Sequence, residues 1–332
     1  MGKYIEAHLN PQGAGDARPT AAQIVEDEGL VGKLGDKVVL ITGTSSGIGI
    51  ETALAMALTG AKVFCAVRNV KKGEEALSGT LEPGRVELLE MDNNSLESIR
   101  AGAKTFLSKS DRLNILINNA GVMATPEGKT ADGFETQFGT NHLAHFLLFQ
   151  LLKPTLLKSA TLDFGSRVVN VSSTGHRGLG IQFGNLNFEK PGSYNPWGAY
   201  GQSKTANVYM ANEIERRYGS QNLHGFSLHP GGINTGLQTH VPQAQKDQWN
   251  EPSVLKMFKT PAQGAATTTV CALSKDWEGR GGKYFEECEE SHPVQEGYAV
   301  TDGGFVAHTY NPDAEQKLWV ESLKLLGLQD DR

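Results

Sequence analysis

The sequence predicts an α/β fold, a single doubly wound parallel sheet of about seven strands with helices on both faces. Three observations carry this. Short, nearly continuous apolar runs recur along the chain: Lys37–Thr42, Ala61–Val67, Arg85–Met91, Leu113–Asn118, Arg167–Val171, Leu223–His229 and Gly282–Phe285. Such runs are the mark of strands buried on both faces. Most are separated by stretches with helical periodicity, and the first passes straight into a glycine-rich turn, Gly43-Thr44-Ser45-Ser46-Gly47-Ile48-Gly49.

Composition narrows the function classes. The 332 residues are 39% hydrophobic and 20% charged, with a formal net charge of −6. That balance argues against a nucleic-acid or anionic-membrane partner. No apolar run approaches the roughly 20 residues that span a bilayer. Met1-Gly2 opens like a lipidation site, but Glu6 stands where Ser or Thr is required. Cys65, Cys271 and Cys288 are far apart and odd in number, which suits a reducing compartment and plain packing. A cytoplasmic protein is expected.

Taken in order, residues 1–34 read as an arm on the surface, with a short helix over Ala21–Glu28. Residues 35–332 read as one dinucleotide-binding catalytic domain. The first strand, its glycine turn, a helix over Glu51–Gly60 and the second strand lie within about thirty residues. In that context the missing Cβ of each glycine allows a tight turn, lets backbone approach a pyrophosphate, or packs helix closely on strand. The helix N-terminus adds unpaired N–H groups and partial positive charge.

The end of the second strand separates two nicotinamide cofactors. An acidic residue there would bind a ribose 2′-hydroxyl, whereas a 2′-phosphate needs cations. Arg68 is followed by Lys71 and Lys72, with no carboxylate before Glu74, which favours NADP(H) over NAD(H). Arg68 as a plain solvated strand-end residue is the alternative. Asp92, ending the third strand, either accepts from an adenine amino group or caps the helix Ser95–Leu107. Asn118-Asn119-Ala120-Gly121 ends the fourth strand, and its amides and glycine suit close packing beside a cofactor. A helix over about Asp132–Lys153, ending at Pro154, contains Asn141 as either a satisfied core amide or the holder of a helix irregularity and a water.

Ser172 and Ser173 end the fifth strand. The segment 174–198 then leads to a helix over Ala199–Arg217, which carries Tyr200 and Lys204. Four residues apart, the two lie on one helix face. The lysine charge would favour the phenolate and bring the tyrosine toward the working range of an acid–base catalyst. Tyr-x-x-x-Lys alone is a common surface pattern; its position after the glycine turn and the strand-end serines gives it weight. Further along, Pro230-Gly231-Gly232 and Thr235 follow the sixth strand. The segment 236–260 looks mobile, a helix covers Pro261–Ser274, 286–311 reads as irregular, and a helix over Asp313–Leu326 ends the chain.

Together, Thr42-Gly43-x-x-x-Gly47-x-Gly49, Asn118-Asn119-Ala120-Gly121, Asn141, Ser173 and Tyr200-x-x-x-Lys204 resemble the short-chain dehydrogenase/reductase family over roughly Gly35–Phe285. Within it the chain is similar to retinol-dehydrogenase-like, NADP-linked reductases of filamentous fungi. The resemblance implies a Rossmann-type sheet and an NADPH-dependent carbonyl reductase or alcohol dehydrogenase. Tyr200 would be its acid and base, and Lys204 would bind the nicotinamide ribose and lower the tyrosine pKa. Ser173 would donate to the substrate oxygen, and Asn141 would hold a water linking Lys204 to solvent.

Cofactor contacts are implied for Gly43, Ser45, Ser46, Gly47, Ile48 and Gly49, then for Arg68, Asp92 and Asn93. Asn119, Ala120, Gly121, Tyr200 and Lys204 continue the set, and Pro230, Gly231, Ile233 and Thr235 close it. No metal is implied. The substrate would be a small carbonyl or alcohol compound, bulky and hydrophobic if the aromatic segments 174–198, 236–260 and 286–311 shape its pocket. The interval from Ser173 to Tyr200 exceeds the family's usual dozen or so residues, which puts the four-helix dimer interface in doubt. NAD-linked oxidation, epimerisation or dehydration on the same fold, or a silent cofactor-binding regulator, are the rival readings.

Overall fold

The computed structural model describes residues 2–299 and 301–331. Its strands are β1 (Val38–Thr42), β2 (Lys62–Val67), β3 (Val86–Glu90), β4 (Ile115–Asn118), β5 (Ser166–Val171), β6 (Leu223–Leu228), β7 (Gly232–Ile233), β8 (Phe258–Lys259), β9 (Lys283–Glu286) and β10 (Glu289–Glu290). Eight of them form one sheet in the order β10-β9-β6-β5-β4-β1-β2-β3. All neighbours run parallel except β9 and β10. β7 and β8 form a separate parallel pair.

Apolar runs become central strands because both sheet faces are covered. Helices Leu96–Lys109, Ala144–Ser159 and Pro196–Tyr218 bury Phe106, Leu148 and Tyr209 on one face. Helices Ile48–Leu58 and Ala266–Leu273 bury Met56 and Cys271 on the other. The chain order reverses where β1 pairs with both β2 and β4. This is the topological switch point, and the crevice in which doubly wound sheets bind ligands lies outside the carboxyl ends of these strands.

Four expectations change. The helix expected to stop at Pro154 continues to Ser159, with Pro154 inside it. A mid-helix proline costs about 3 kcal/mol, and buried Leu152 and Leu156 on that stretch offset it. The arm does not simply lie on the surface: Thr20 caps the helix Ala21–Asp27, whose Ile24 and Val25 are fully buried. Ile24 packs with Ala266 and Val270. The segment 286–311 contributes β10, and the mobile-looking 236–260 holds helices Gln243–Trp249 and Pro252–Leu255 and strand β8.

Arg18 explains how arm and loop hold each other. Its buried guanidinium pairs with Asp16 at 2.8 Å and donates to the carbonyls of Met257 (2.9 Å) and Phe258 (2.6 Å). Burying that charge is tolerable because the planar fork is saturated with acceptors. The C-terminal helix Pro312–Leu325 closes the outer face, its Trp319 edge-on to Phe146 at 4.8 Å.

Candidate active site

The glycine turn follows β1 into the crevice. Gly43 and Gly47 have φ of +75° and +59°, conformations that L side chains rarely adopt. A Cβ on Gly43 would lie 2.8 Å from Ala120 Cα, and one on Gly49 only 2.2 Å from the Gly43 carbonyl oxygen. The turn is therefore bare backbone pressed against the β4 loop. Gly47 caps the Ile48–Leu58 helix without any side-chain hydrogen bond, leaving the first-turn N–H groups open. A pyrophosphate fits this donor set. Thr235 lies over the turn: a Cβ on Gly47 would come 3.3 Å from its Cγ2. Ile233 and Ile48 meet around Gly264. Ser45 is half-buried and Ser46 exposed at the rim.

A hydrogen-bonded hub fixes the crevice walls. Thr42 Oγ1 accepts from the backbone N–H of Asn119 and of Ala120, both at 3.0 Å, and lies 2.8 Å from His145 Nε2. Asn93 Nδ2 also approaches Nε2, at 2.9 Å, so Nε2 is the acceptor and Nδ1 donates to the Asn141 carbonyl at 3.0 Å. Burial pushes this imidazole down to about 4, so the ring is neutral at pH 7. One histidine thereby joins the ends of β1, β3 and β4 to the turn carrying Asn141. Sequence reasoning passed over it; its position four residues after Asn141, on the same helix face, is the signal that was available.

Asn141 sits in a wide π-type turn, Gly139–Leu143, at the head of the Ala144–Ser159 helix. Its side chain accepts from Val122 N (2.8 Å) and donates to Val122 O (2.9 Å) and Ser203 Oγ (2.9 Å). It is thus a fully satisfied buried amide that also stands at a helix irregularity.

Arg68 is exposed at the end of β2 and, among the described residues, makes no side-chain hydrogen bond or ion pair. Asp92 does not cap the following helix; Ser95 does, accepting from Ser98 N at 3.3 Å. The Asp92 carboxylate takes only the Asn94 N–H, at 3.0 Å, because an aspartate three residues upstream bonds the local turn instead. Pro230 and Gly231 lie over the buried Lys259, whose Nζ is 3.5 Å from the Pro230 carbonyl and paired with Glu287 at 3.1 Å.

The Pro196–Tyr218 helix crosses the carboxyl end of β5. Asn195 caps it, accepting from Gly198 N at 2.8 Å, with Pro196 at its first position. Ser172 Oγ donates to the Lys204 carbonyl at 2.8 Å, and Lys204 Nζ donates to the Val171 carbonyl at 3.0 Å. Tyr200 packs on Gly175, where a Cβ would lie 2.8 Å from the tyrosine ring. Ser173 Oγ accepts from Gly175 N at 3.0 Å, which leaves its O–H free to turn toward the phenol. Asn141 Oδ1 and Lys204 Nζ both border Gly121, 3.1 and 3.5 Å from the position of an added Cβ.

Burial dominates the ionisation of the pair. Burial pushes the Tyr200 phenol up to about 12, and the neighbouring Ser173 hydroxyl is what opposes it. Lys204 lies beside the ring. Its ammonium sits 5.6 Å from the tyrosine ring centroid, faces Val171, and is itself brought down by burial to about 8. Helix spacing placed the two on one face, both buried, with the ammonium bonded to the end of β5.

Over Tyr200 lies an apolar group of Met123, Ala124 and Val241, with Trp197 and Trp249 against it. Trp197 is edge-on to both Tyr200 (6.0 Å) and Trp249 (6.2 Å). Its Nε1 donates to Gln245 Oε1 at 3.2 Å, tying the segment after β7 to the helix that carries Tyr200.

A glycine-lined anion cradle at the switch point, next to a helix-borne tyrosine and lysine and a strand-end serine, defines a dinucleotide-binding oxidoreductase of the α/β class. The chain belongs to the short-chain dehydrogenase/reductase family. A family model described as short chain dehydrogenase matches residues 37–185. The chain is 54% identical to "Short-chain dehydrogenase/reductase prx1" of Penicillium roqueforti, over 99% of this chain and 96% of that protein. It is 40% identical to human retinol dehydrogenase 11, over 90% and 88% respectively. Among solved structures, an uncharacterised protein of Mycobacterium paratuberculosis aligns with TM-score 0.67 at 31% identity, over 94% of this chain and 97% of that one. A short chain dehydrogenase from Shigella flexneri complexed with NADP aligns with TM-score 0.57 at 26% identity, over 76% and 98%. Among the described residues, no helix is long and apolar enough to cross a membrane.

Proposed function

We propose that this protein is an NADPH-dependent reductase of a bulky, apolar ketone or aldehyde. The observation that carries the reading is the meeting of Tyr200, Ser173 and Lys204 beneath an apolar lid, beside the glycine cradle. NADPH, when bound, supplies the hydride. The cradle of Gly43, Gly47 and Gly49 would hold its pyrophosphate, and Arg68 its 2′-phosphate. Thr235 and Ile233 would close over it from the β7 side.

The chain's own residues manage the proton. Tyr200, with its pKa pushed up to about 12, keeps its proton at rest and can deliver it to a carbonyl oxygen gaining charge. Ser173, its oxygen occupied by the Gly175 N–H, is oriented to donate to the same oxygen. The phenolate left behind needs a cation within reach, and the Lys204 ammonium is the buried one available. Val241, Trp197 and Trp249 exclude water and favour a flat apolar substrate.

The test is Tyr200→Phe, assayed by NADPH oxidation against a panel of aromatic and retinoid-like aldehydes and ketones. Activity is expected to fall by about 10²–10⁴-fold, with the NADPH dissociation constant unchanged. Equal turnover by the variant would sink the assignment.

A further inference from the structure

His176 is a buried histidine that the proton path above does not use. It lies three residues past Ser173, in the turn Thr174–Gly178, and is fully buried. Its Nδ1 is 2.7 Å from the Ser173 carbonyl oxygen. A carbonyl only accepts, so Nδ1 carries the proton and Nε2 is the acceptor. Thr309 Oγ1, 3.0 Å from Nε2, is then the donor. Burial lowers the ring to about 4, with His308 and Arg177 adding to the effect, so the neutral form persists at pH 7. Tyr284 closes the ring's side edge-on at 4.7 Å, its hydroxyl 3.1 Å from Glu286.

The partner of this ring comes from the far end of the chain, and it is anchored. The short turn Ala307–Thr309 is held on the Tyr200 helix: Tyr209 Oη donates to the His308 carbonyl at 2.7 Å, and Asn212 Nδ2 to the Thr309 carbonyl at 3.3 Å. The His176 carbonyl in turn accepts from His308 Nε2 at 2.8 Å and from Thr205 Oγ1 at 3.0 Å. Ser173 and Tyr200 are therefore braced against each other through two routes. One is the direct packing of Tyr200 on Gly175, and the other runs through His176 and residues 307–309.

We propose that His176 is a positioning residue for Ser173: its Nδ1–H holds the Ser173 carbonyl, and with it the approach of the Ser173 hydroxyl to Tyr200, while Thr309 fixes the tautomer that does so. The proposal rests on the reading of Ser173 as the second donor. It makes a C-terminal turn part of the active-site frame.

The test compares His176→Leu, His176→Asn, Thr309→Val and Ser173→Ala in the full-length protein. The probe is the aromatic aldehyde best reduced by the unmodified enzyme. Rates are read as kcat and KM, NADPH affinity by fluorescence titration, and folding by circular dichroism. Loss of an outer partner that orients a metal ligand typically costs about 10–100-fold, and the same scale is taken for the outer partner of Ser173. His176→Leu is expected to lower kcat by about that factor with the NADPH dissociation constant unchanged. His176→Asn, which keeps an N–H near the Nδ1 position, is expected to recover most of it, and Thr309→Val to lose part of kcat, less than His176→Leu. If Ser173→Ala cripples turnover while folded His176→Leu and Thr309→Val keep full kcat, the positioning role is wrong. A fall in NADPH affinity and Tm parallel to kcat, with no recovery in His176→Asn, also overturns it by marking a merely structural residue. Should His176→Leu not fold, Thr309→Val and His176→Asn decide alone by the same criteria. Unchanged kcat in Ser173→Ala refutes the reading of Ser173 itself.

Discussion

Lys204 donates to the carbonyl of Val171 at 3.0 Å, so the ammonium points at the end of β5 rather than at the phenol one turn before it. Tyr200, pushed up by burial against the Ser173 hydrogen bond, stays protonated to about 12. The pair is thus a buried acid with a weakly held cation beside it, and their ionisations set the pH response.

The first prediction concerns that cation. Burial brings Lys204 from its ordinary 10.5 down to about 8. Carbonyl reduction needs Tyr200 protonated before the step and Lys204 charged after it. Tyr200 meets its condition well above neutrality, but Lys204 loses its proton as pH rises through about 8. The kcat for reduction should be flat near neutrality and decline above that point. A profile still flat at about pH 10, near the ordinary lysine pKa, would rule out a charged Lys204 as the offset to the phenolate.

Arg68 should decide between the two nicotinamide cofactors. It is exposed and uncommitted among the described residues. A hydrogen-bonded contact to a charged group contributes about 1.5–3 kcal/mol. Arg68→Ala should weaken NADPH about 10–100-fold in a binding titration while leaving NADH within about twofold. Equal losses for both would show that Arg68 reads something other than the 2′-phosphate.

Gly49→Ala tests the cradle. The new Cβ would fall 2.2 Å from the Gly43 carbonyl oxygen and 2.7 Å from Asn119 Nδ2. Neither neighbour is a flexible chain end, so the turn must move. Overpacking of this kind costs about 1–3 kcal/mol, readable in urea unfolding, and NADPH binding should be lost along with it. Retained affinity would mean the turn is not the phosphate site.

Acid should destabilise the fold in a defined window. Burial lowers His145 and His176 to about 4, and His142 and His229 to about 3, from an ordinary 6.5. Between those values the unfolded chain binds protons that the folded one refuses, so stability falls as pH drops from about 6.5 toward 4. Each histidine contributes on the order of 3 kcal/mol across its window. Glu135 and Glu286, held above the usual carboxylate range by burial, act in the opposite sense. Four histidines outweigh the raised carboxyls, Glu289 included, so Tm should drop steadily below about pH 6.5 and be level from there to about pH 8. A Tm that holds to about pH 4.5 would contradict the buried neutral rings.

Much of the site is legible in the sequence because its signals are local. β1, the Gly43–Gly49 turn and the helix after it are contiguous, and the conformational demand on each glycine is met within a few residues. Asn119 and Ser173 follow closely on strands, where a polar residue after an apolar run is visible in the sequence, and Tyr200 and Lys204 share a helix at a spacing of four. His145 and His176 carry no such mark. Their roles come from Thr42, Asn93 and Thr309, which lie 103, 52 and 133 positions away. The docking of the arm is hidden for the same reason: Arg18 is surrounded by the carbonyls of Met257 and Phe258, some 240 residues on.

By itself, then, the sequence determined the parallel sheet, its family and the glycine turn, and it singled out the tyrosine, lysine and serine as candidates. These follow from period, from glycine's missing Cβ and from short-range order. Tertiary structure alone decided how deeply Tyr200 is buried and what Lys204 bonds to. It also decided that His145 bridges Thr42, Asn93 and the Asn141 carbonyl, and that His176 bonds the Ser173 carbonyl. Charge state and orientation depend on desolvation and on partners brought from distant parts of the chain, and neither is written in the spacing of Tyr200 and Lys204.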